Sequence, residues 1–407
     1  MENQLAIFGG IPTRETKKHP KYDLPDSVKE TVLDILNSGN LASFYGGTYV
    51  QKYEKTFANR FNRKYGIATN SGTSALHIAY LSCELPEFSE VLVPANCYIS
   101  AISALIQCNL VPVIVDIDRK SWVMDPLDIE RKISEKTSAI VPVHMYGQPC
   151  PMDKITEIAK KYNLKIIEDC GQSHGGTWNG RLTGTFGDVA CFSTCCRKHI
   201  TLGEGGMALT NSQKMYALAK AYCHKGKGIG WFDYLYMGYS YNLTEIQAAI
   251  GIYGVDNLEK EFANRQENAK VLIKNLSDLD IELPYIPQNS QHAYFKFNFL
   301  LPQKLSIHRD EIVDALKAEN IGADPSHPNV LDIGWLKNKQ PYLFSQIVDK
   351  NQPNYKLENV PVATDILKRQ IGLEVGHGLN KHDMELTAKA VKKVINYYLK
   401  MRDIYEK

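Results

Sequence analysis

Lys198 follows a strand-like apolar run, residues 188–193, and precedes the flexible stretch Gly203-Glu204-Gly205-Gly206. Upstream, Ile166-Ile167-Glu168-Asp169 reads as a buried strand ending in a carboxylate, and Asn70-Ser71-Gly72-Thr73-Ser74 as a glycine turn opening a helix. Gly72 lets the backbone approach an anion closely, while the helix N-terminus offers unpaired N–H groups and the positive end of its dipole. Thr73 and Ser74 add hydroxyl donors. A desolvated lysine amine can attack an aldehyde. A carboxylate can pair with a protonated ring nitrogen, and that cation keeps the carboxylate ionised. These are the three parts needed to hold pyridoxal 5′-phosphate: a Schiff-base lysine, a ring-nitrogen partner and a phosphate turn.

Each part also has an ordinary reading. A lone lysine is a surface charge, Ser-Gly-Thr-Ser is a helix cap, and a carboxylate at a strand end caps the next helix. Their combination, in this chain order, favours the cofactor. Gln172 is then placed to meet its ring oxygen and Ser193 to reach its phosphate. Tyr98 either packs or stacks on the ring, and His174 is either structural or catalytic. Arg197 and His199 flank Lys198 and would depress its pKa if they faced it. The basic segment 223–228 reads as a solvated loop or as a contact for a phosphorylated acceptor. One Cys and one His close together make it a poor metal site.

The surrounding pattern supplies a frame for these residues. Helical spacing over 50–61, 73–81, 99–107 and 152–162 alternates with short apolar runs at 66–69, 91–94, 112–116, 139–143, 165–169, 189–192 and 206–210. Such alternation predicts an α/β fold, with a mostly parallel seven-stranded sheet covered by helices on both faces. Ligands of such sheets sit beyond the carboxyl ends of the strands, where Asp169 falls. Residues 25–37 read as a helix after an N-terminal arm, and 244–274 as one long helix. An alternating strand over 293–300, a helix over 308–318 and a last helix over 383–399 predict a smaller C-terminal α+β domain. The expected division is 1–255 for the large cofactor-binding domain and 256–407 for the small one.

The 407 residues carry a net charge of +2, which leaves no electrostatic footprint for nucleic acid. No apolar stretch of about 18 residues is present to span a membrane. The N-terminus does not read as a signal peptide. The nine cysteines include the adjacent Cys195 and Cys196 and no Cys-x-x-Cys pair, so the expectation is a reducing cytoplasm.

Several segments resemble the DegT/DnrJ/StrS family of pyridoxal-phosphate sugar and cyclitol aminotransferases. They are Gly47-x-x-Val50-x-x-Tyr53-Glu54, Ser71 to Leu76, Ile167 to Gly175, Gly184-x-Phe186-Gly187-Asp188 and Lys198 to Gly206. The resemblance implies the aspartate-aminotransferase fold type I. It implies that Gly72, Thr73, Ser74 and Ser193 hold the phosphate and that Tyr98 stacks on the ring. Asp169 would then pair the ring nitrogen, Gln172 meet the ring oxygen, and Lys198 be the linked, proton-shuttling lysine. It further implies amino transfer from glutamate or glutamine to a keto sugar, nucleotide-linked or phosphorylated, or to a keto cyclitol, in a homodimer with shared active sites. Departures occur at Gly238-Tyr239-Ser240-Tyr241-Asn242-Leu243, where relatives read Gly-x-Asn-Tyr-Arg-Met. Ser240 stands where the family's asparagine reaches the partner's phosphate, and is shorter. Thr194 replaces an aromatic, and Cys195-Cys196-Arg197 is atypical. A dehydratase subgroup carries histidine in place of the lysine, so Lys198 favours amination. A cofactor-bound regulator without enzymatic activity is the remaining alternative.

Overall fold

The computed structural model describes residues 4–18, 21–42, 47–227, 233–338 and 355–405. Its strands, in chain order, are β1 (Tyr65–Thr69), β2 (Glu90–Pro94), β3 (Val111–Val115), β4 (Thr137–Ile140), β5 (Lys165–Asp169), β6 (Thr177–Trp178), β7 (Arg181–Leu182), β8 (Val189–Ser193), β9 (Gly206–Thr210), β10 (Phe297–Leu300), β11 (Ala323–Pro325) and β12 (Gln370–Leu373). Seven of them form one sheet in the order β1-β9-β8-β5-β4-β2-β3. Only β9 runs against its neighbours, so the sheet is the mostly parallel one expected.

These strands are apolar nearly throughout because both faces are buried. Along β8, Val189 and Cys191 enter one core, and Ala190 and Phe192 enter the core on the opposite face. The first core takes Ala75, Leu76 and Ile78 from the helix Gly72–Ser82. The opposite one takes Tyr53 and Phe57 from the helix Thr48–Arg60, and Ala248 and Val255 from the helix Glu245–Asp256. A three-stranded antiparallel sheet, β10-β12-β11, packs with the helices Leu258–Leu276, Arg309–Ala318 and Lys381–Tyr405 around a further cluster. Leu5 joins that cluster, whereas Val330, Leu331 and Ile366 join the core of the large sheet.

Two elements differ from expectation. The single helix over 244–274 is two helices, broken at Asn257. Val255 and Leu258 bury against the Tyr53–Phe57 core, while Ala269, Leu272 and Leu276 bury in the cluster around β10. One straight axis cannot serve both. The strand over 293–300 begins only at Phe297. Before it, the amides of Ala293 and Phe295 donate to the carbonyls of Gly147 and Tyr146 (2.7 and 2.9 Å), and Tyr294 takes φ 49°. The helices Pro126–Lys132, Gln213–Cys223 and Pro361–Arg369 went unread. The first two carry visible side-chain caps, Asp125 and Ser212.

Glu168, fully buried in β5, fastens the loop before β8. Its carboxylate accepts from the amides of Gly184, Phe186 and Gly187 (2.8, 2.7 and 2.7 Å), with His144 Nε2 at 3.3 Å. Arg63 grips the same loop through the carbonyls of Gly184 and Gly187. Glu168→Gln turns an NH₂ toward amide donors, and should lower the unfolding free energy by roughly 3 kcal/mol or more, as read from denaturant midpoints.

His174 is structural in placement. It is fully buried among Phe57, Phe192 and His199. Burial pushes its pKa down to about 3, with Lys198 and Arg265 adding to the effect. Between that value and the ordinary 6.5, the unfolded chain binds a proton that the folded chain refuses. Stability therefore falls as pH drops through this window. His174→Phe should make the acid-side fall in denaturant midpoint shallower than in the unaltered chain.

Candidate active site

Strands β1, β5 and β8 point the same way, so their carboxyl ends share one edge of the sheet. Ser71 and Gly72 follow β1, Asp169 ends β5, and Ser193 ends β8. A cavity of about 520 Å³ opens there, within the range of small-molecule sites. Of the residues read from the sequence, Gly72, Thr73, Tyr98, Asp169, Gln172, Ser193 and Lys198 line it. Ser74 does not. Its hydroxyl is used inside the turn, at 2.7 Å from Asn70 Oδ1 and 2.9 Å from Ser71 Oγ. Ser240 is exposed and lies outside this chain's own cavity lining. The basic residues of 223–227 also lie outside it, and Gly228 falls outside the described residues.

The turn after β1 is built for an anion. Ser71 Oγ caps the helix by accepting from the Ser74 amide at 3.1 Å, which leaves the amides of Gly72 and Thr73 without intrahelical partners. Gly72 is required by crowding, since a Cβ there would stand 2.7 Å from Ser193 Cβ. The close approach aligns the Ser193 hydroxyl with the helix N-terminus.

Asp169 and Lys198 are both nine-tenths buried or more. Asp169 Oδ1 accepts from the Gly171 amide at 2.9 Å, and Oδ2 carries no hydrogen bond among the described residues. Burial pushes its carboxyl up, against the pull of that amide and of Lys198. The sequence reading put a cation beside it, and Oδ2 is the atom free to meet one. Burial pushes the Lys198 amine down, opposed by Cys195 and Asp169 and assisted by Lys296 and Arg265. Its Nζ lies 4.1 Å from the centre of the Phe295 ring and makes no ion pair among the described residues. Gln172 Oε1 accepts from the Tyr146 amide at 2.7 Å, which leaves its NH₂ for the cavity. Tyr98 is half exposed, and its ring meets His327 edge-on at 5.3 Å. These residues fit a flat phosphorylated ring, with donors for the phosphate at one end and a free carboxylate oxygen at the other.

The lysine segment is held by residues that sequence reasoning missed. Glu261 Oε1 accepts from Arg265 Nε at 2.6 Å, and Glu261 Oε2 lies 3.1 Å from His377 Nδ1. Arg265 donates to the carbonyls of Tyr294, Phe295 and Arg197 (3.0, 3.1 and 3.3 Å). His377 Nε2 lies 2.7 Å from the Lys198 carbonyl, to which it donates. Only the Glu261–Arg265 spacing, one helical turn, was visible in the sequence. His199 Nε2 donates to the Ala293 carbonyl at 2.6 Å, so its ring is occupied with the backbone. Burial, with Arg265 and His174 nearby, pushes its pKa down. His144, Glu168 and Cys170 cluster at metal-ligand distances, but three amides already fill the Glu168 carboxylate and the Cys150 amide fills His144 Nδ1. That donor set does not fit a cation.

A model of the DegT/DnrJ/EryC1/StrS aminotransferase family matches residues 23–392. The GDP-perosamine synthase of Escherichia coli O157:H7 is 34% identical over 328 residues, covering 75% of this chain and 88% of that protein. A protein of Streptoalloteichus tenebrarius, proposed to be an L-glutamine:3-amino-2,3-dideoxy-scyllo-inosose aminotransferase, is 30% identical over 331 residues, 79% of each chain. The crystal structure of an aminotransferase from Psychrobacter cryohalolentis superposes with a TM-score of 0.82 at 25% identity, covering 93% of this chain and 99% of that one. The cavity, its anion-binding turn and its buried lysine accord with these matches: the chain belongs to the DegT/DnrJ/EryC1/StrS aminotransferase family, and its cofactor is pyridoxal 5′-phosphate.

Proposed function

We propose that this enzyme moves an amino group from glutamate or glutamine to the keto group of a sugar, nucleotide-linked or phosphorylated. A keto cyclitol is the second reading, favoured by the likeness to the cyclitol-type relative. The observation that carries the proposal is Lys198: a buried amine, without an ion pair among the described residues, sharing one cavity with Asp169 and with Gly72 and Thr73 at the helix N-terminus. Gly72, Thr73 and Ser193 would hold the phosphate, Asp169 would pair with the ring nitrogen, Gln172 would meet the ring oxygen, and Tyr98 would stack on the ring. Ser74 supports the phosphate turn from within. The bound cofactor supplies the electron sink for the carbanion chemistry. Lys198 Nζ, its pKa pushed down by burial, takes the proton from the donor's α-carbon and delivers it during the exchange. Its being lysine, not histidine, sets amination apart from dehydration.

Residues 1–255 and 256–407 are read as the two domains, with the cavity at their junction. Phe295, Lys296 and His327 from the second unit line it beside the strand ends of the first. We read the assembly as a homodimer in which Ser240 faces the partner's phosphate. The neighbouring Tyr234, Leu235, Tyr236 and Met237 expose apolar surface that a second subunit would cover. Among the described residues no helix is long and apolar enough to cross a membrane; a cytoplasmic location is proposed with that.

The purified enzyme should be yellow, and borohydride should bleach it. Lys198→Ala should bind the cofactor without that reducible linkage and lose multiple turnover by on the order of 10³-fold or more. Sustained turnover with glutamate would remove Lys198 from its role. Asp169→Asn should retain cofactor, while single-turnover proton transfer slows by roughly 10²-fold. Unchanged rates would refute the ring-nitrogen pairing.

A further inference from the structure

A second cavity of about 270 Å³ opens beside the first, and Lys296 and His327 belong to both walls. Its remaining lining is Tyr146, Asn298, Asp324, Pro325, Ser326 and Gly372. Asn298 is 4% exposed, yet neither its Oδ1 nor its Nδ2 has a hydrogen-bond partner among the described residues. A buried amide left unpaired on both atoms costs stability, so a polar ligand is the natural complement. Lys296 is ion-paired with Asp324 at the same wall. Gly372 keeps the space open, because a Cβ there would stand 3.1 Å from Lys296 Cδ and 3.4 Å from Asn298 Nδ2.

The chemistry of this annex selects among ligand groups. Asp324 and Asn298 Oδ1 are acceptors and require donors from the ligand, whereas Lys296 and Asn298 Nδ2 are donors. A hydroxyl group is both donor and acceptor. A phosphate is an acceptor only, and the Asp324 carboxylate repels it. We propose that the annex is the acceptor's hydroxyl-recognition subsite. Asn298 and the Lys296–Asp324 pair read neighbouring hydroxyls on the acceptor ring while its keto carbon lies near Lys198. This rests on the keto-sugar or keto-cyclitol reading above. It deepens that reading by naming the residues that discriminate among acceptors.

The test uses the holoenzyme in its amino form, with a panel of keto hexoses, free, phosphorylated and nucleotide-linked, and keto cyclitols, and the singly deoxygenated counterpart of each. The unaltered enzyme should prefer one fully hydroxylated acceptor over a deoxy counterpart by on the order of 10- to 100-fold in kcat/KM. Asn298→Ala and Gly372→Ala should erase most of that preference and raise acceptor KM about 10-fold, with the glutamate half-reaction unchanged. Calorimetric binding of unreactive polyols, the free hexoses and myo-inositol, should weaken in parallel. Retained preference and retained polyol binding in both variants overturn the annex. If no panel member is aminated, the functional reading fails, and the polyol titrations then decide the annex alone: binding lost in the variants supports it, and no binding to the unaltered enzyme overturns it.

Discussion

The Glu261 carboxylate ties the lysine segment to the rest of the molecule. Burial pushes its pKa up, but Arg265 and His377 outweigh burial and hold it below the ordinary glutamate value. Its two partners then spend their remaining N–H groups on backbone carbonyls. Arg265 takes those of Tyr294, Phe295 and Arg197, and His377 takes that of Lys198. One buried negative charge thus fixes three chain segments that meet at the reactive amine. A buried ion pair does little for net stability when its desolvation is counted. What this network contributes is position, because its outer interactions end on the carbonyls of Lys198, of its neighbour Arg197 and of the Tyr294–Phe295 segment that faces the Lys198 amine.

The cavity concentrates unmet demand. Lys198 is pushed toward its neutral form and Asp169 toward its protonated form, both by burial. Gly72, Thr73 and Gln172 line the cavity, and the Asn298 amide is buried beside it without a partner among the described residues. Glu168, buried in the same sheet, is by contrast satisfied by three loop amides. The fold tolerates the contrast because the site sits at the strand ends, where loops can leave atoms unpaired without breaking the sheet.

Much of this was legible before any coordinates. The seven apolar runs became the seven strands of the large sheet, each within a few residues, because a strand buried on both faces must be apolar along its whole length. The phosphate turn, Asp169, Gln172 and Lys198 were legible because each chemistry is written in residues adjacent in sequence. The break at Asn257 was not, because the pattern on either side is helical and only the direction of burial changes. Residues 293–296 look like strand by alternation, but the amides of Ala293, Phe295 and Lys296 are claimed by the carbonyls of Gly147 and Tyr146, far earlier in the chain, and that of Tyr294 by His292 Nδ1.

Local rules therefore settled which segments are strands and helices, and they mark the helix-opening turn and the lysine proposed to carry the chemistry. Periodicity and capping act within a few residues, and one chain displays them in full. Tertiary structure alone decided that Glu261 and His377 grip Lys198, that Ser74 serves the turn and not the cavity, that His174 is packing, and that Asn298 opens on an annex. Each of these depends on which distant group ends up within hydrogen-bonding reach. That distance is set by the packing of helices on sheets, which no local pattern encodes.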